Sequence, residues 1–186
     1  MTAQNQQPFQ EQLIAKAWET KPDFAGRQPG ELIRSWLNEP GLLTARMRAQ
    51  CDNGFRLEVI HDYTPGTNQS GSDQSELHRQ VILWCDKQPC IFAETSIPAD
   101  TATAHPWLRE LGDEPLGERL QSQPNVSRSL FVYALVDLTQ LPATLADCGE
   151  TELWARRSDF YIGEDLLTVT EIFLPGITRC SNSNNG

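Results

Sequence analysis

Two stretches of this chain alternate like β-strands, and each sets a charged residue on its apolar side. Strand side chains alternate with period two, so in Leu167-Thr168-Val169-Thr170-Glu171-Ile172-Phe173 the carboxylate of Glu171 shares a face with Leu167, Val169 and Phe173. In Leu77-His78-Arg79-Gln80-Val81-Ile82-Leu83 the same count puts Arg79 with Leu77, Val81 and Leu83, and puts His78 and Gln80 on the other face. Taking an unpaired charge out of water is costly, so a fold that buries both must pair them or hold them for a ligand. On the residues alone, a structural Arg79–Glu171 ion pair is the simpler reading. A ligand site would instead hold the two charges apart, with apolar walls and backbone donors between them.

The 186 residues suit one domain with a core that needs neither disulfides nor metal. We read 1–186 as a single unit, with residues 1–8 and 181–186 expected to be disordered tails. The formal net charge is −10 and no Lys/Arg cluster accumulates, which argues against a nucleic-acid or anionic-membrane surface. Such a field repels anions, so an anionic ligand needs local arginines. The first residues lack a basic flank followed by an apolar core, and no apolar run approaches the roughly 20 residues that span a bilayer. The five cysteines (51, 85, 90, 148 and 180) are odd in number, widely spaced and without a CxxC pair. They suit reduced thiols, and with them a cytoplasmic protein. Cys85, on the inward face of Arg79, reads as a small buried hydrophobe. The three histidines (61, 78 and 105) lack metal-ligand spacing, so no metal is expected.

Helical spacing marks Gln10–Glu19 and Glu31–Asn38, the second stopped by Pro40-Gly41. Thr44–Cys51 and Phe55–His61 read as two strands around Asp52-Asn53-Gly54, an Asn-Gly hairpin signal. After a Gly/Ser-rich loop at 64–75, strands are expected at 76–85, 90–97, 130–136, 152–162 and 166–174. Two short helices, His105–Leu111 and Pro115–Gln121, form the one helical insertion among them. The fold class is α+β, built on an antiparallel sheet. In Leu153–Phe160, Arg156 falls beside Trp154 and Phe160, and Arg157 beside Leu153, Ala155 and Asp159. We expect Arg157 in solvent and Arg156 stacked or paired with a carboxylate. Nothing resembles a phosphate loop, a nucleophile elbow or a Cys/His pair.

Four segments, in order and spacing, resemble the bacterial chorismate pyruvate-lyase family: His78-Arg79-Gln80-Val81-Ile82-Leu83, Leu111-Gly112-Asp113-Glu114-Pro115-Leu116-Gly117, Leu153-Trp154-Ala155-Arg156-Arg157-Ser158 and Thr170-Glu171-Ile172-Phe173-Leu174-Pro175. The resemblance runs from about Trp36 to Pro175. It implies an antiparallel sheet of about six strands with helices on one side. It also implies cleavage of chorismate to 4-hydroxybenzoate and pyruvate, a first step towards ubiquinone or a related quinone, with no metal or cofactor. By the same resemblance Arg79 holds the ring carboxylate, Glu171 lies near the 4-oxygen, and Leu116 and Leu43 make backbone contacts. Loops around 40–44 and 111–117 would be lids. Glu94 stands where the family often has a basic residue, Gln121 where an aromatic is common, and Asp137–Gly149 is longer than in compact members.

In physical terms a guanidinium fork suits a carboxylate, and a carboxyl in an apolar pocket has its charged form disfavoured, so Glu171 is expected to act protonated. The expected partners are the small-molecule substrate and product, with no nucleic acid or membrane insertion, and the expected state is a monomer. The main alternative is a non-catalytic aromatic-acid sensor domain of the same fold. Its weakness is that the first 40 residues contain no basic recognition helix.

Overall fold

The computed structural model describes residues 17–23, 26–51, 54–63, 76–137, 141, 145 and 151–180. The expected helix at 10–19 lies mostly outside them, as do the 64–75 loop and both expected tails. At the near edge of that gap Glu19 is not helical and bridges Tyr133 antiparallel.

The elements run α1 (Glu31–Leu37), α2 (Leu43–Gln50), β1 (Phe55–Tyr63), β2 (Leu77–Cys85), β3 (Gln88–Ile97), α3 (Ala99–Ala104), a 3-10 turn (Pro106–Arg109), α4 (Leu116–Gln121), β4 (Val126–Arg128), β5 (Val132–Asp137), β6 (Glu152–Ile162), β7 (Asp165–Phe173) and α5 (Ile177–Cys180). All strand pairs are antiparallel, in the order β1-β2-β3-β7-β6-β4, with β5 also on β6. Seven strands therefore occupy six positions. β4 and β5 lie end to end on one edge of β6, Arg128 opposite Phe160 and Val132 opposite Arg157. Between them Ser129 replaces regular pairing, its N–H donating to Asp159 O and its Oγ accepting from Asp159 N–H, both at 2.9 Å.

Thr44–Cys51 is the clearest departure from the sequence reading: residues 43–50 form helix α2, not a strand. Leu43, Met47 and Cys51, four apart, are all buried, and Ala45, Arg46, Arg48, Ala49 and Gln50 between them are good helix formers. Tight turns at 86–87 and 163–164 join β2 to β3 and β6 to β7, with Asp86 and Gly163 in the left-handed region (φ 54° and 65°). Helices α3 and α5 were not anticipated. Strands β2, β3, β6 and β7 match the expected ones to within two residues at each end.

One sheet face carries the helices. Trp36, Leu37, Leu43, Met47 and Ile177 pack on Leu83, Ile91 and Phe173 at one end. Ala102, Leu108 and Leu120 pack on Leu77, Ile97 and Leu167 at the other. The opposite face is closed by Leu141, Leu145 and Trp18 against Ile82, Phe92, Ala155 and Ile172. Between the two helical groups lies a cavity that Arg79, Arg128 and Glu171 line.

Candidate active site

Directly paired residues of an antiparallel sheet share a face, so the register places the inward charges without further assumption. Arg79 pairs with Thr95, Thr95 with Val169 and Val169 with Ser158; Ala93 pairs with Glu171 and Glu171 with Arg156; Arg128 pairs with Phe160. Arg79, Glu171, Arg156 and Arg128 therefore all lie on the helix-covered face. Arg79, Glu171 and Arg128 line one cavity, with Leu57, Val81 and Val169 among its apolar walls. A water's centre can occupy about 80 Å³ of it, room for several waters or a small ring.

Arg79 and Glu171 do not pair with each other, so the simpler reading of the residues alone is overturned. Arg79, 2 % exposed, donates from Nη1 to Asp62 Oδ2 at 2.8 Å and from Nη2 to Gly112 O at 2.6 Å. Asp62 reaches it because β1 shifts register between Val59 and His61, which brings Asp62 opposite Arg79. Glu171 accepts from Arg156 Nε at 2.6 Å and lies 3.6 Å from Arg128 Nη2. The expectation of an apolar pocket around Glu171 is thus corrected: two guanidiniums face it, and it stands as the acceptor of an ion pair.

Arg156 is fully buried, stacked on Phe131 at 4.2 Å, and its Nη1 donates to the carbonyls of Trp36, Leu37 and Glu39 at 3.3, 3.2 and 2.7 Å. It is stacked and paired, as expected. Arg157 is not in solvent. It is half-buried on the other face, its guanidinium 4.1 Å from the Trp18 ring centre and its Nε donating to Thr170 Oγ1 at 3.0 Å. Burial lowers its pKa.

Both segments named as lids form the cavity roof. Leu43 and Leu116 are each the first residue of a helix, where backbone N–H groups have no partner within the helix, and both line the cavity. The two lids touch: a Cβ on Gly117 would stand 2.7 Å from Leu42 Cδ2, and Arg48 pairs with Glu118. Glycine at 117 lets α4 approach this closely.

On the opposite face, Glu94 is buried, accepting from Gln80 Nε2 at 3.0 Å with His78 Nδ1 at 3.7 Å. It does not line the cavity. The Glu94 hydrogen bond, opposed by burial and helped by Glu76, raises the His78 pKa. Cys85 is buried but is not a free thiol, since it forms a disulfide with Cys51 across a Cα separation of 5.4 Å. The expectation of five reduced cysteines fails at these two. Cys90 is a buried thiol, while Cys148 and the Cys180 side chain lie outside the description.

The sequence profile of the chorismate lyase family matches residues 13–181. The chain belongs to the chorismate lyase family. Members similar to it include the probable chorismate pyruvate-lyases of Dechloromonas aromatica (strain RCB), 34% identical over 87% of this chain and 96% of that protein, and of Shewanella sp. (strain W3-18-1), 34% identical over 84% and 88%. Among solved structures, the effector domain of PhnF from Mycobacterium smegmatis has a TM-score of 0.51 at 17% identity, over 73% of this chain and 89% of that one, a likeness of fold alone. Among the described residues no group of three His, Cys, Asp or Glu is placed to hold a metal ion, and no helix is long and apolar enough to cross a membrane.

Sequence reasoning missed Arg128 and Asp62 within this chorismate lyase fold. Val126-Ser127-Arg128 is too short to show a period, and Asp62 depends on a register shift that only the β1–β2 pairing reveals.

Proposed function

We propose that this chain eliminates pyruvate from chorismate to give 4-hydroxybenzoate, without metal or organic cofactor, and that the product feeds synthesis of ubiquinone or a related quinone. The observation that carries the reading is that Arg79 and Glu171 line the same cavity but stand apart, on β2 and β7, with apolar walls between them. In this reading the ring carboxylate lies towards Arg79, and the ring packs on the apolar walls. The first amides of α2 and α4, at Leu43 and Leu116, serve as backbone donors. Glu171, held by Arg156, accepts a hydrogen bond from the 4-hydroxyl.

The reaction removes hydrogen from C4 while the C3–O bond breaks. The C4–H electron pair becomes the last ring double bond, the C–O pair leaves with the enolpyruvate, and the proton lost from C4 balances the one that the enolate carbon takes up to become pyruvate. Aromatisation supplies the driving force, so the protein's work is to fix the ring and exclude water. The lids that meet at Leu42 and Gly117 suit that task. The fold is shared with an effector domain and does not separate enzyme from sensor, whereas the family does favour the enzyme.

The test is pyruvate and 4-hydroxybenzoate release from chorismate by purified protein with chelator present. Equimolar release is expected, Glu171→Ala should abolish it, and Arg79→Ala should chiefly raise KM. No release with 4-hydroxybenzoate still bound would favour a sensor, and unchanged kinetics in both folded variants would overturn the site assignment.

A further inference from the structure

Chorismate carries two carboxylates, one on the ring and one on the three-carbon enol ether at C3, whereas 4-hydroxybenzoate keeps only the first. The cavity wall has two arginines, Arg79 on β2 and Arg128 on β4, at opposite ends of the strand order β2-β3-β7-β6-β4. Four strand spacings separate their backbones, so the two side chains enter the cavity from different sides.

Their commitments differ. Arg79 has its own carboxylate in Asp62, and Arg156, behind the wall, has Glu171. Arg128 donates from Nε to Ser158 Oγ at 2.8 Å, and Nη2 lies 3.6 Å from a Glu171 oxygen that Arg156 already holds at 2.6 Å. Among the described residues no carboxylate belongs to Arg128 alone. Phe131 and Phe160 stand 4.2 and 4.8 Å from its guanidinium carbon and fix its plane. Desolvation pushes its pKa down to about 10, which leaves it a cation at neutral pH.

Position then selects the role. If Glu171 faces the 4-oxygen, the neighbouring C3 arm lies beside Glu171, where Arg128 stands. Resting on the reading above, we propose that Arg128 binds the carboxylate of the enol-ether arm and so distinguishes the dicarboxylate substrate from the monocarboxylate product.

The experiment compares Arg128→Gln and Arg128→Lys with wild type by steady-state kinetics on chorismate and by calorimetric affinity for chorismate and for 4-hydroxybenzoate, with circular dichroism to confirm folding. A lost charge-assisted contact should weaken chorismate about tenfold or more in Arg128→Gln, with partial recovery in Arg128→Lys. The 4-hydroxybenzoate affinity should stay within about twofold of wild type on the same basis. Equal weakening of both ligands would overturn the proposal and show that Arg128 acts through Glu171, and unchanged chorismate affinity would overturn it as well. Wild-type turnover judges the lyase reading separately. If wild type proves inactive, the ratio of the two affinities still decides whether Arg128 reads the second carboxylate.

Discussion

Arg156 shows how one buried side chain can serve both stability and the site. It pairs with Glu171, and its other branch donates to the carbonyls of Trp36 and Leu37, the last residues of α1, and to Glu39 just before the α2 lid. Arg156→Met would leave those carbonyls without a donor and Glu171 facing only Arg128. Breaking a buried pair in this way costs about 3–5 kcal/mol, which urea unfolding should read as a lower midpoint with an unchanged slope. Arg79 predicts a different loss. Its two branches reach Asp62 and the Gly112 carbonyl in different directions, a span that one ammonium cannot cover. Arg79→Lys should therefore bind 4-hydroxybenzoate more weakly, and full affinity in that variant would mean that only a point charge is needed. The inward direction of Arg79 and Glu171 was legible from strand alternation, because that depends on backbone geometry a few residues long. Their partners were not legible, because Asp62 and Arg156 arrive from other strands.

At the scale of elements, α2 is fastened at both ends. Its first turn lines the cavity, and Cys51 just past its last turn is bonded to Cys85 at the end of β2, a sequence separation of 34. In the chain-entropy account a loop of that size contributes about 4 kcal/mol. Cys51→Ser, or a dithiol reductant on wild type, should lower the unfolding free energy by about 2–4 kcal/mol; an unchanged denaturation midpoint after reduction would show that the bridge contributes nothing. The same element shows where pattern reading went astray. The Asn-Gly after Cys51 is a genuine turn signal and suggested a hairpin, yet the four-residue spacing of Leu43, Met47 and Cys51 is helical. The disulfide was beyond reach of the sequence, since nothing local brings the end of a helix to the end of a strand.

Across the whole molecule, the two sheet faces divide the work: the helix-covered face holds the cavity, and the other buries His78, Gln80 and Glu94. The His78 pKa is raised in the folded state, chiefly by Glu94, so protonated His78 stabilises the fold. That contribution is complete below the unfolded histidine value near 6.5 and is lost as pH rises through the higher folded value. Unfolding free energy measured from pH 5.5 to 9 should fall over that window in wild type more than in His78→Gln, and parallel curves would remove His78 as the cause. The chain by itself determined which side chains face inward, because alternation is enforced by sterics within each strand, and it set the two-residue turns through local backbone preference. The tertiary structure alone decided strand order, the β1 register shift, the break between β4 and β5 and hence which charges meet. Those depend on hydrogen bonds and packing between segments distant in sequence, for which no local pattern carries the information.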